Sequence, residues 1–308
     1  MARRRSRKQN HSGFKKLECL FVLLVVLVTA VGVFRQFPNV LTPCRAFCER
    51  QFQPETSSLE PHVSMPEPSI VAPISQHSRY DNLALGVPGK ADTVIDRPGY
   101  ALGYIEYHEQ PAWVIYKLTR AEATTKAAKR TNRFVEDPEI PTGSATAADY
   151  RKSGYDRGHL APAADMAFSA RTMADSFFYS QMSPQRPQFN RGVWKDLEEQ
   201  VRLFAIVEEE IYVVTGPILP KEKTITIGPN QVTVPTHYYK VVYDLTPPQK
   251  MIGFIIPNDG SKRSLQDFAV TVDAVEAATG LDFFSLVPQP KQEQLESTIS
   301  VKDWSWKR

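Results

Sequence analysis

Cysteine is almost missing from this chain of 308 residues. Its three cysteines, Cys19, Cys44 and Cys48, all lie near the start. No disulfide frame and no thiolate zinc site can therefore organise the long remainder. Cys44 and Cys48 are left to pair locally or between chains in an oxidising compartment. Internal repeats are also absent, which excludes a solenoid or propeller. A general excess of positive charge is lacking too. The 37 Lys and Arg outweigh the 34 Asp and Glu by three, but seven of those positives sit in residues 1–16, which contain no acid. Taking those seven from the 37 leaves 30 against 34, so residues 17–308 carry −4. Attraction of the whole molecule to a polyanion is excluded, and any such partner must be met by a local basic groove.

Charge is missing again between Cys19 and Phe34, a sixteen-residue apolar run. That is short for a membrane span, which needs about 17 to 25 residues, but Leu17 and Glu18 extend it to the interface. The residues after it, Val33-Phe34-Arg35-Gln36-Phe37-Pro38, hold no small-x-small cleavage site. Residues 17–35 are thus expected to be a transmembrane signal-anchor, with a cleaved signal peptide and secretion as the alternative. Residues 1–16 form a basic flank expected to stay in the cytoplasm, leaving the rest outside, periplasmic or extracellular. Residues 36–78 carry Pro38, Pro43, Pro54, Pro61, Pro66, Pro68 and Pro73 among Ser, Glu and Gln, and read as an extended linker. Residues 79–308 are long enough for one sizeable core.

Within that domain the reading is α+β. Tyr104–His108 and Ala112–Leu118 look like paired strands. Further strands are predicted over 210–216, 224–227, 237–244 and 251–256. Helices are predicted over 169–178, 190–208 and 264–279, the last stopped by Gly280. His108 and His237 fall in strand-like segments and read as structural.

Two clusters carry chemistry. The first is Tyr155-Asp156-Arg157-Gly158-His159-Leu160-Ala161-Pro162-Ala163-Ala164-Asp165. Gly158 and Pro162 punctuate the backbone around His159, so the segment reads as a loop that aims an imidazole. Histidine is the side chain best suited to moving a proton near neutral pH. The second cluster follows Pro187 and contains Asn190, Arg191 and Glu198. Trp194, Leu197, Val201 and Phe204 recur at helical spacing as a buried stripe. On one helix, Asn190 and Glu198 would stand ~80° apart around the axis and ~12 Å along it. That suits one residue that binds an ion and another that holds one of the ion's waters.

Together these clusters resemble the DNA/RNA non-specific endonucleases, the endonuclease G-like ββα-metal (His-Me finger) nucleases. Asp156-Arg157-Gly158-His159 matches one family motif, and Asn190 with Glu198 eight residues later matches the other. Ala147–Tyr150, Ser153–Tyr155, Val213–Pro217, Val234–Val242 and Leu281–Phe284 extend the resemblance over roughly residues 79–303. The resemblance implies a central, mainly antiparallel sheet flanked by helices. It implies His159 as general base, Asn190 as the ligand of one hydrated Mg²⁺, with Mn²⁺ as a substitute, and Glu198 as the residue that orients a water on it. Arg157 would hold the phosphate or brace the loop, with Arg186 and Arg191 as further substrate contacts. Arg151, Lys152 and Lys195 are other candidates for a basic groove. Arg130 and Arg133 compete for an upstream phosphate contact. Gln181 stands where many relatives have asparagine and is given a supporting role. The implied partners are DNA and RNA, cut to 5′-phosphate ends, and a homodimer is an assembly the resemblance allows. Two other readings stand beside this one: a catalytically degenerate nucleic-acid-binding module, and a tethered interaction protein that works through its Pro-rich segment.

Overall fold

The computed structural model describes residues 79–307. The basic flank, the apolar run and the whole Pro-rich stretch lie outside the described residues. The described residues form eleven strands: β1 (Thr93–Asp96), β2 (Ala101–Ile105), β3 (Gln110–Thr119), β4 (Asp156–His159), β5 (Met182–Gln185), β6 (Glu210–Pro217), β7 (Thr226–Ile227), β8 (Val232–Thr233), β9 (His237–Asp244), β10 (Lys250–Pro257) and β11 (Ala269–Val270). The α-helices are α1 (Arg120–Thr124), α2 (Ala147–Tyr150), α3 (Ala170–Asp175), α4 (Pro187–Asn190), α5 (Val193–Glu208), α6 (Val272–Thr279) and α7 (Gln289–Glu296).

Seven strands make one sheet in the order β1-β2-β3-β6-β9-β10-β11, and every neighbouring pair is antiparallel. Its strands alternate between two cores, as the period of two in a strand requires. Val114, Tyr116, Leu118, Ile211, Val213, Tyr238, Val242, Ile252 and Phe254 face α5, whose Trp194, Leu197, Val201 and Phe204 form the buried stripe the spacing predicts. Trp113, Ile115, Tyr212, Val214, Tyr239, Val241 and Tyr243 face the other way, onto Val272, Val275, Phe283 and Phe284. The central strands are therefore apolar on both faces, which is why they read as continuous runs. The expected α+β class with a central antiparallel sheet and flanking helices is what the chain forms.

Several expectations are corrected in detail. The segment Asp156–His159 is a strand, β4, paired antiparallel with β5 in a separate two-stranded sheet, rather than a free loop. Gly158 makes the pairing close. A Cβ there would lie 2.1 Å from the Gln185 side-chain Cδ, so only glycine fits. The helix predicted over 190–208 is broken at Gly192, whose φ of −111° and ψ of −118° lie outside the helical region. A Cβ at Gly192 would sit 2.5 Å from the Gln188 carbonyl oxygen. Asn190 is consequently the last residue of α4, not a turn of the helix that carries Glu198, and the single-helix spacing drawn between them does not apply. The stretch 264–279 holds a 3-10 turn (Leu265–Phe268) and β11 before α6 begins. Gly280, at φ +73°, caps α6 as predicted.

Replacing Gly158 by alanine tests the close approach. Overpacking of this kind costs roughly 1–3 kcal/mol, so Gly158→Ala should lower the midpoint of chemical denaturation with an unchanged slope. An unaltered midpoint would mean that Gln185 swings away freely.

Candidate active site

The site is built where the β4–β5 pair meets α4. Register pairs Asp156 with Gln185 and His159 with Met182, so the strand that ends at Gln185 delivers Pro187 and Asn190 beside Asp156. Pro187 opens α4 at its first turn, where its missing N–H costs nothing. Asp156 then binds two neighbours. It accepts from Asn190 Nδ2 at 2.9 Å, and from Arg191 Nε and a terminal guanidinium nitrogen at 2.8 and 2.7 Å. These bonds hold its carboxyl below the usual range against the opposing effect of burial. A carboxylate only accepts, so it fixes which way the Asn190 amide points: the nitrogen faces Asp156 and the oxygen is left free.

His159 is enclosed from the other direction. The residue is 8% exposed, and its ring meets Phe134 and Phe177 edge-on, with centroids 5.7 and 5.0 Å away. Each phenylalanine carries an arginine. The Arg157 guanidinium lies 4.0 Å over Phe134, and that of Arg130 lies 5.1 Å over Phe177. Burial, and then the charges of Arg130 and Arg157, pull the imidazole down to about 3. At neutral pH it is uncharged and able to accept a proton. Its Nε2 is buried with no hydrogen-bond partner.

A cleft of about 490 Å³ opens in front of these groups, lined by Arg130, Arg151, Arg157 and Arg191, by Phe134, Tyr150 and Tyr155, and by Asp156 and Asn190. Four arginines face one acid, so the cleft is locally basic although residues 17–308 together carry −4. Arg151, Arg157 and Arg191 are brought together there. Arg186 is not: it is exposed, and only its backbone is engaged, the N–H donating to Asn258 Oδ1 at 2.9 Å and the carbonyl accepting from Asn190 N at 2.9 Å. Lys152 and Lys195 also lie off the lining, and Lys195 pairs with Glu199 at 3.3 Å. Of the competing upstream arginines, Arg130 lines the cleft and Arg133 does not. Gln181 is fully buried. Its Oε1 accepts from Ala161 N at 2.9 Å and its Nε2 donates to the Ala161 and Ser176 carbonyls, bracing the chain just past His159.

Glu198, on α5, is half-buried and is not among the residues that line the cleft. Burial pushes its carboxyl up, opposed by the charge of Lys240. The sequence reading assigned no role to Lys240, Phe134, Phe177, Tyr150 or Tyr155, although the last two fall in the segments that carry the resemblance. His108 and His237 lie away from the cleft. The His108 ring is held by Thr233 Oγ1 at 2.9 Å and that of His237 by Thr236 Oγ1 at 3.1 Å.

Comparison with known proteins identifies the family. The family model described as DNA/RNA non-specific endonuclease matches residues 79–290. The chain belongs to that family. This nuclease is 33% identical over 247 residues to the mitochondrial nuclease of Saccharomyces cerevisiae, covering 71% of this chain and 75% of that protein. It is 34% identical over 212 residues to the mitochondrial endonuclease G of Homo sapiens, covering 64% of this chain and 71% of that protein. A crystal structure of the EndoG/EndoGI complex, titled as a mechanism of EndoG inhibition, superposes with a TM-score of 0.63 at 32% identity, covering 68% of this chain and 92% of that one.

These relatives overturn the expected periplasmic or extracellular placement of the nuclease domain, since both are named as mitochondrial proteins. The physical reason is that an Arg-rich, acid-free N-terminus is also the composition of a mitochondrial targeting segment, so the basic flank does not single out export. Among the described residues no helix is long and apolar enough to cross a membrane. The expected anchor over 17–35 falls outside those residues.

Proposed function

We propose that this nuclease hydrolyses phosphodiester bonds in both DNA and RNA with one hydrated divalent cation, leaving 5′-phosphate ends. The observation that carries the reading is the pairing of β4 with β5. It joins a neutral, enclosed His159 to an Asn190 whose amide oxygen is free because Asp156 holds the nitrogen.

The residues present fit a hard cation. Asn190 would hold it through Oδ1, a hard oxygen donor suited to Mg²⁺ or Mn²⁺, and Glu198 would orient one of its waters. When bound, the ion supplies charge neutralisation of the phosphate and of the leaving alkoxide. His159 takes the proton of the attacking water. Nε2 is enclosed, so Nδ1 is the nitrogen that receives it. Arg157, fixed on Phe134, and Arg130, fixed on Phe177, face the cleft with their guanidinium groups and would bind the phosphate flanks. The half-buried Tyr155 would offer its ring to a base without reading it, and phosphate contacts carry no direct sequence information. Substrate choice is therefore expected to be broad.

The test is cleavage of plasmid DNA and of RNA by the purified full-length chain with Mg²⁺, with Mn²⁺ and with EDTA. Metal-dependent cutting of both polymers is expected, with 5′-phosphate ends read by ligation. A folded protein that binds both polymers and cuts neither would favour the degenerate binding module. The names of the relatives make mitochondria the first compartment to fractionate, and sedimentation of the full chain reads self-association.

A further inference from the structure

Lys240 occupies an unusual position for a charged side chain. It lies in β9, paired with Thr215 of β6 and Phe254 of β10, in the middle of the main sheet. It is fully buried, and its Nζ has no hydrogen-bond partner. On the side that faces α5, the ammonium sits 4.7 Å from the centroid of the Trp194 ring. A ring face attracts a cation but does not neutralise it. A buried cation needs an opposing charge, because its desolvation is otherwise uncompensated.

The neighbouring charges decide which group supplies it. Asp165 is fully buried but already engaged: its Oδ1 accepts from Arg202 Nε at 2.6 Å and its Oδ2 from the Tyr116 hydroxyl at 3.1 Å. Arg202 is a like charge and is occupied by the same acid. Arg130 is turned to Phe177 and Asn132. Glu198 remains. It follows Trp194 by four residues on α5, about 6 Å along the same face. Helical side chains lean toward the N-terminus, so Glu198 leans toward the ring that carries the ammonium. No hydrogen bond or ion pair within 4 Å joins Lys240 to Glu198, so the two charges act on each other through space, with Lys240 the foremost cation on Glu198 ahead of Arg202 and Arg130.

We propose that Lys240 is a positioning residue for the nuclease reaction: its ammonium, seated on Trp194, is the through-space counter-charge to the Glu198 carboxylate on α5. This inference rests on the role given to Glu198 above. It goes beyond that role by making a strand on the far side of α5 part of the apparatus. The directions of titration agree. Burial pushes Glu198 up and Lys240 down, and each charge opposes that push on the other. Asp165 raises both, while Arg202 lowers both and Arg130 lowers Glu198. Removal of the ammonium takes away the foremost group that favours the carboxylate.

The experiment uses the full-length chain as Lys240→Met, Glu198→Gln and the double variant, with near-ultraviolet circular dichroism to check folding. Methionine matches the lysine stem in volume and removes a buried charge, so the fold is expected to hold; Lys240→Gln serves as the second variant. Lys240→Met should lower kcat at pH 7 by about 10- to 100-fold with KM within about threefold. The acid limb of its kcat–pH profile should move up by about one pH unit or more, so that activity recovers toward alkaline pH. The double variant should be no slower than Glu198→Gln alone. In the metal-free protein, the carbon-13 titration of the Glu198 carboxyl, assigned through Glu198→Gln, should also move up in Lys240→Met. An impaired Glu198→Gln beside a Lys240→Met with unshifted profile and unshifted carboxyl titration overturns the inference and leaves the role of Glu198 standing. Multiplicative losses in the double variant overturn it as well. A fully active Glu198→Gln overturns both readings together.

Discussion

His159→Ala should lower kcat on plasmid DNA and on RNA by about 10²- to 10⁴-fold, the range that removal of a general base produces. KM should stay near the wild-type value, because the cleft arginines proposed to meet the substrate are untouched. Added imidazole should restore part of the rate, since the space between Phe134 and Phe177 is left open. The pH dependence is more diagnostic than the loss itself. An ordinary histidine would impose an acid limb near 6.5. Here burial and two arginines hold the imidazole at about 3, so the wild-type rate should show no inflection at 6.5 attributable to this residue. A His159→Ala variant that cuts as fast as wild type would sink the general-base assignment.

The same shift makes a stability prediction, and its sign follows from proton uptake. The folded state holds His159 well below its unfolded value of 6.5. Above that value both states leave the imidazole neutral and no penalty exists. As pH falls below 6.5 the unfolded chain takes up the proton and the folded one does not until about 3. Folded stability is therefore lost progressively across that window, on the order of a few kcal/mol by pH 4. Denaturation curves at pH 4 and pH 7 should converge in His159→Ala relative to wild type once the cavity cost, common to both pH values, is subtracted.

Much of this was legible in the sequence, and the exceptions have local causes. The stripe of Trp194, Leu197, Val201 and Phe204 gave α5 because helical periodicity survives any tertiary context that buries one face. The motif around His159 and the asparagine after Pro187 were readable because their residue types are chemically distinctive. The break between Asn190 and Glu198 was not. A lone glycine inside a helical pattern costs only about 1 kcal/mol, so Gly192 did not force a stop, and its true reason is a contact with the Gln188 carbonyl. The choice of Arg130 over Arg133 depends on Phe177, some 47 positions later, and no local pattern encodes it. Lys240 did leave a signal. A lysine flanked by Tyr238, Tyr239, Val241 and Val242, in a strand apolar on both faces, is a charge with nowhere to reach solvent.

Asn190→Ala should be as damaging as the loss of His159, and for a different reason. If Oδ1 is the protein's one direct donor to the cation, its removal leaves the ion held by waters and phosphate alone. The rate should fall by about 10²-fold or more at ordinary Mg²⁺, and partial recovery at high Mn²⁺ would mark the defect as one of ion binding. Asp156→Ala separates the ligand from its orientation. It leaves the amide in place but releases Nδ2, so Asn190 can rotate, and Arg191 is freed at the same moment. Loss of a residue that orients a ligand costs about 10- to 100-fold in metal affinity or activity. Asp156→Ala should therefore raise the Mg²⁺ concentration needed for half-maximal rate while nearly reaching the wild-type rate at saturation. Asn190→Ala should not reach it at any Mg²⁺ concentration. Titration of Mg²⁺ against initial rate for the two variants and the wild type checks the distinction. Parallel curves for Asp156→Ala and wild type would mean that the amide needs no anchor, and that Asp156 serves Arg191 alone.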